Sequence, residues 1–174
     1  GGEGIAVAVD LNALESCERV VAETVDAFGG VDILVNNVGA ARNADILELD
    51  VEQISEALSL KSYSYLRMSQ LVIPHMQKNQ WGRIVNIAGG AGTSPTRGNI
   101  PTGAANITIL NMTRALSDAV SKDGILVNTI CPGLTNTERA RTQQGVRAER
   151  EGRSVEELLV ELGAELPAGR MAEP

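Results

Sequence analysis

Aromatic residues are almost missing from this sequence: one Trp, two Tyr and one Phe make up 2% of 174 residues. Stacking platforms for bases or sugars need several rings within reach of one another, so such ligands are not expected. Cysteine is equally scarce. Cys17 and Cys131 lie far apart and fit no metal-ligand spacing, which predicts reduced core thiols in the cytoplasm and no metal site. No run approaches the roughly 18 apolar residues of a membrane span. Gly1-Gly2-Glu3-Gly4 also lacks the basic and apolar regions of a signal peptide. Positive charge is in deficit. A net charge of -7 repels phosphate backbones and anionic lipid, so neither nucleic acid nor a membrane is an expected partner.

What is present suffices for one domain with a real core: 43% of residues are hydrophobic and 21% charged. Ile5 to Val9 is a β-branched apolar run of the kind that forms a strand buried on both faces, and Asp10 ends it. Asn12 with Glu15 resembles a capping box. Leu14, Cys17, Val20, Val21, Val25 and Phe28 then recur at helical spacing up to Gly29-Gly30. Ile33 to Val35 reads as a second buried strand, running into an Asn36-Asn37-Val38-Gly39 turn. Asp50 with Gln53 opens a long helix to about Met76, with Pro74 marking a kink or the last turn. Arg83 to Ile87 is a strand, followed by a small-residue loop from Ala88 to Pro95 and a helix from near Pro101 or Thr102 to Gly124. Leu126 to Ile130 is another strand, ending in Cys131-Pro132-Gly133. Beyond it the chain turns polar. Arg139, Arg141, Arg147, Arg150 and Arg153 interleave with Glu138, Glu149 and Glu151 as on a solvated helix, and Ser154 with Glu157 caps a last helix. Strands alternating with helices at this pitch predict an α/β fold with a doubly wound parallel sheet.

Four segments in fixed order carry a resemblance. They are Gly30-Val31-Asp32-Ile33-Leu34-Val35-Asn36-Asn37-Val38-Gly39, Gly82-Arg83-Ile84-Val85-Asn86-Ile87, Val127-Asn128-Thr129-Ile130-Cys131-Pro132-Gly133 and Leu166-Pro167-Ala168-Gly169-Arg170-Met171. Together they resemble the short-chain dehydrogenase/reductase family, in particular its 3-oxoacyl-carrier-protein reductase branch. The resemblance implies a single partial domain over residues 1–174, its doubly wound sheet Rossmann-like and incomplete in this chain, with NAD or NADP at the C-terminal edge of the sheet. It places Asp10 beside the adenine, Asn37, Val38 and Gly39 at the adenine ribose, and Pro132, Gly133 and Thr137 next to the nicotinamide. By residue type alone, Asp10 reads equally as a helix-entry residue and Thr137 as a cap. The family's Gly-x-x-x-Gly-x-Gly diphosphate turn has no counterpart in these residues. The alignment makes Ile5–Val9 the family's third strand. It would then lack a neighbour, as expected of a fragment of a longer polypeptide.

The resemblance also locates four catalytic positions, all substituted. Family members use a Tyr-x-x-x-Lys pair, an upstream Ser and an Asn on the preceding helix. The corresponding residues are Thr102, Asn106, Gly89 and Lys61. A threonine hydroxyl is far too weak an acid to replace a tyrosine activated by lysine. Lys61 and Tyr65 share a helix face four residues apart, so a reversed acid pair and a solvated lysine beside an unrelated tyrosine are both open readings. Thr93 and Ser94 are candidates to polarise a carbonyl or simple turn formers. The expected function is an NAD(P)-dependent oxidoreductase acting on a carbonyl or alcohol substrate, divergent in its active site. The alternative is an inactive pseudoenzyme that binds nucleotide or serves as a dimerisation partner. The resemblance further implies a homodimer or homotetramer formed through the two long helices.

Overall fold

The computed structural model describes residues 2–174, the side chain of Val146 excepted. It forms two compact units, one ending at Cys131 and the other spanning Pro132–Pro174. The first contains α1 (Leu14–Phe28), β1 (Ile33–Asn36), α2 (Val51–Ala57), a π-helical segment (Leu58–Tyr63), α3 (Ser64–Asn79), β2 (Gly82–Ile87), α4 (Ile100–Val120) and β3 (Ile125–Ile130). The three strands pair in parallel in the order β1-β2-β3, with Leu34 opposite Ile84 and Ile84 opposite Val127. This is the expected parallel α/β sheet in partial form.

Alternation along each strand decides where the core lies. Leu34, Ile84, Ile125 and Val127 point to one face, against Cys17 and Val21 of α1 and Met68, Val72 and Met76 of α3. Each such side chain, fully buried, stabilises the fold by about 1.5–3 kcal/mol. The opposite face is more open, with Val85 and Ile87 of the central strand half-buried and the flanking strands exposed. Ile33 is 58% exposed, Val35 57%, Leu126 46% and Ile130 52%. The expectation that Ile33–Val35 is buried on both faces is therefore corrected, because the helices of this unit cover one face only.

Local signals explain most element ends. Gly29 closes α1 with φ +81° and donates its N–H to Val25 at 2.8 Å. Asp50 and Gln53 form the expected capping box on α2. Ile5–Val9 pairs with no strand, as the resemblance implied for this segment. One local expectation fails. The Asn12 box does not form: Ala13 is the N-cap, and Asn12 donates its N–H and its Nδ2 to the Asp10 carboxylate, at 3.0 and 2.9 Å. Its Oδ1 meanwhile accepts from Ser59. An Asn so engaged has no oxygen left to cap α1.

The long helix runs unbroken from Val51 to Asn79 but changes type: between α2 and α3 it widens into the π segment, and α3 then continues past Pro74. At the end of that segment Ser64 shares its proton between the carbonyls of Leu60 and Lys61, at 2.7 and 3.1 Å, while Ser62 ties the segment to α4 through the Ala105 carbonyl at 3.1 Å. Hydroxyls that take up helix carbonyls loosen the regular ladder.

In the second unit α5 (Glu138–Glu151) and α6 (Val155–Ala164) pack together. Ser154 and Glu157 form the expected capping box. Arg147 pairs with Glu151 and Glu161, both at 2.9 Å, and Arg153 reaches Glu161 at 2.6 Å. Hydrogen bonds from the arginines hold both glutamates below their ordinary range. The basic run is thus internally neutralised, as its interleaved charges suggested.

Candidate active site

Parallel strands present their C-terminal ends at one edge, where open α/β sheets hold ligands. Here those ends are tied by side chains. Asn36, Asn86 and Thr129 stand in register on the covered face. Asn36 donates to Asn86 at 2.8 Å, Asn86 to Thr113 of α4 at 2.9 Å, and Thr129 to the same Thr113 oxygen at 2.6 Å. Three of the four are buried and the fourth half-buried, so the chain of bonds satisfies polar groups that water cannot reach. The sequence reading missed this ladder. Its signal was polar residues at matching positions of successive strands.

Beyond β1, a cleft separates residues 7–11 from the sheet. Asp10, Asn37 and Val38 line it together with Leu11, Asn36 and Leu60. Three of the residues placed at the adenosine end of a dinucleotide thus lie along one cleft. Gly39 adjoins it differently: a Cβ there would fall 2.9 Å from Lys61 Cδ, so the turn lies directly on the lysine stem.

Lys61 sits in the π segment, half-buried. Its ammonium donates to the Ala88 carbonyl at 3.1 Å and to Asn106 Oδ1 at 2.7 Å. Asn106 is 2% exposed. A Cβ at Gly89 would come 2.8 Å from Asn106 Nδ2, so the side chain at 106 fills the space that any residue larger than glycine at 89 would need. Lys61, Gly89 and Asn106 therefore converge. Thr102 is turned elsewhere, its hydroxyl donating to Asn43 Oδ1 at 2.9 Å.

Tyr65 is no partner for proton transfer. Its hydroxyl lies 3.0 Å from both the Val38 and the Ile87 carbonyl oxygens and shares its single proton between them. Burial pushes its pKa up to about 12, which corrects the reversed Tyr/Lys acid pair. In the loop after β2, Thr93 donates to the Gly90 carbonyl as a turn former does. Pro132, Gly133 and Thr137 belong to the second unit. Pro132 and Gly133 are exposed, and Thr137 caps α5 by accepting from Ala140 N–H at 3.3 Å.

A parallel sheet flanked by helices, with polar side chains gathered at its C-terminal edge, defines a protein of the doubly wound α/β class. The chain belongs to the short-chain dehydrogenase family, whose sequence model matches residues 1–147. It is 30% identical to a 3-oxoacyl-[acyl-carrier-protein] reductase of Vibrio cholerae over 174 residues, covering 100% of this chain and 67% of that protein. It is also 30% identical to a D-beta-hydroxybutyrate dehydrogenase of Cupriavidus necator, covering 99% of this chain and 69% of the relative. Among solved structures it is similar to L-sorbose reductase from Gluconobacter frateurii complexed with NADPH and L-sorbose. The TM-score is 0.91 and the identity 28%, over 97% of this chain and 64% of the other. The chain spans about two thirds of the length of these relatives.

Proposed function

We propose that this protein is a divergent NAD(P)-dependent oxidoreductase that interconverts a small carbonyl compound and its alcohol. The observation that carries the reading is the match of the short-chain dehydrogenase model to residues 1–147, with Asp10, Asn37 and Val38 gathered beside the end of β1. The residues present fit the adenosine end of a dinucleotide. The Asp10 carboxylate and the Asn37 amide offer polar contacts, and Leu11, Val38 and Leu60 offer apolar walls. The diphosphate finds no glycine-rich strand-to-helix turn in these residues. A bound nicotinamide supplies or accepts hydride. Pro132, Gly133 and Thr137 are assigned to it by family resemblance. The positions assigned to catalysis are Lys61, Gly89, Thr102 and Asn106, of which three converge on one point. The reading includes residence in the cytoplasm with both thiols reduced, and a homodimer or homotetramer formed through α3 and α4.

The test is titration calorimetry of the full polypeptide with NAD and NADP, followed by the loss of reduced-nicotinamide absorbance with carbonyl substrates. One dinucleotide should bind, and Asp10→Ala should weaken it about fivefold, the worth of one hydrogen bond. Binding of neither dinucleotide would sink the reading.

A further inference from the structure

The geometry points to Lys61 as the cation of this site: its ammonium, fixed between the Ala88 carbonyl and Asn106, holds the oxygen of a bound carbonyl or alcohol. The inference rests on the oxidoreductase reading above and names the group that recognises the substrate oxygen.

Four observations support it. The ammonium lies at the end of β2, held by Ala88 O at 3.1 Å and Asn106 Oδ1 at 2.7 Å. Its stem rests on Gly39, at the turn beyond the cleft. It sits in a π segment, where the extra residue per turn re-aims side chains, a device often found at functional sites. The hydroxyls nearest to hand are engaged or unsuited: Tyr65 spans two carbonyls with its acidity suppressed, and Thr102 donates to Asn43. Electrostatic stabilisation of an oxygen that gains negative charge then falls to the ammonium, which carries three donors and no acceptor.

Asn106 and Gly89 are positioning residues. Asn106 fixes the ammonium, and Gly89 leaves room for Asn106, because a Cβ at 89 would stand 2.8 Å from Asn106 Nδ2. The three substitutions form one unit. Any side chain at 89 displaces the Asn106 amide, and the ammonium then loses the bond that Asn106 Oδ1 accepts.

Trace acetylation read by mass spectrometry tests this without relying on turnover. Lys78 and Lys122, both exposed, are the other two lysines and serve as internal references. The probes are acetoacetate, cyclohexanone and a ketohexose, each added to the full polypeptide with oxidised dinucleotide so that no reduction occurs. A bound probe should lower Lys61 labelling about tenfold, the effect of one charge-assisted hydrogen bond, and leave the references unchanged. With reduced dinucleotide, Lys61→Met should lower kcat/KM about 100-fold while dinucleotide affinity holds. The double exchange Lys61→Asn with Asn106→Lys returns an ammonium to the same point from α4 and should recover most of the loss.

Turnover of a probe that leaves Lys61 labelling unchanged overturns the inference and leaves the oxidoreductase reading standing. So does a Lys61→Met variant with wild-type kcat/KM, or a double exchange no better than Lys61→Met. Protection of Lys61 without turnover of any probe supports the ammonium's role and overturns the oxidoreductase reading. Absence of both protection and turnover overturns both.

Discussion

At the scale of single residues, burial decides what each polar group does. Tyr65 is 1% exposed and spans the ends of β1 and β2, and its pKa is pushed up to about 12 from the ordinary value of 10.0. The folded state therefore keeps this proton where the unfolded chain has lost it. Stability from this group is present below about pH 10 and is lost as pH rises toward about 12. Thermal melts across that window should show the decline, and Tyr65→Phe should flatten it while leaving redox turnover intact. Asn86 is a second case. It links Asn36 to Thr113, so Asn86→Ala strands a buried amide and should cost about 2–4 kcal/mol in denaturant unfolding. Thr129→Val, at the end of the same ladder, should cost about 1 kcal/mol. Neither role was legible beforehand. Tyr65 and Lys61 share a helix face by spacing, which suggested a pair, whereas the carbonyls that claim the hydroxyl come from two different strands.

At the scale of elements, local chemistry predicted what local chemistry controls. The capping boxes at Asp50 and Ser154 and the glycine stop at Gly29 form as expected, because all their atoms lie within a few residues. The box at Asn12 fails because Asp10 and Ser59 take its side chain, and Ser59 arrives from a distant helix. The π segment escaped notice for a similar reason: its serines are unremarkable until Ala105 of α4 supplies one of the acceptors. Two glycines separate local cost from packing cost. Gly29 and Gly124 have φ +81° and +73°, but a Cβ at Gly29 meets open space whereas one at Gly124 runs into the Gln80 carbonyl oxygen. Gly29→Ala should cost about 1 kcal/mol and Gly124→Ala at least about 2 kcal/mol, a drop of roughly 4–8 °C in Tm.

For the whole molecule, the two faces of the sheet set the pattern of sensitivity. In the 174-residue chain, Val35→Thr should change stability by less than about 0.5 kcal/mol, while Ile84→Ala should cost about 2–5 kcal/mol. Equal costs in chemical denaturation would mean that the more open face is covered. The sequence by itself determined the parallel α/β class and most strand and helix positions. These follow from periodicity, turn chemistry and ordered motifs, which are properties of neighbouring residues. Only the tertiary structure decided which sheet face is covered and that Lys61, Gly89 and Asn106 come together. Those outcomes depend on which groups from distant segments reach the same few ångströms. Hydrogen bonding and steric exclusion act over that range, and no spacing along the chain encodes it.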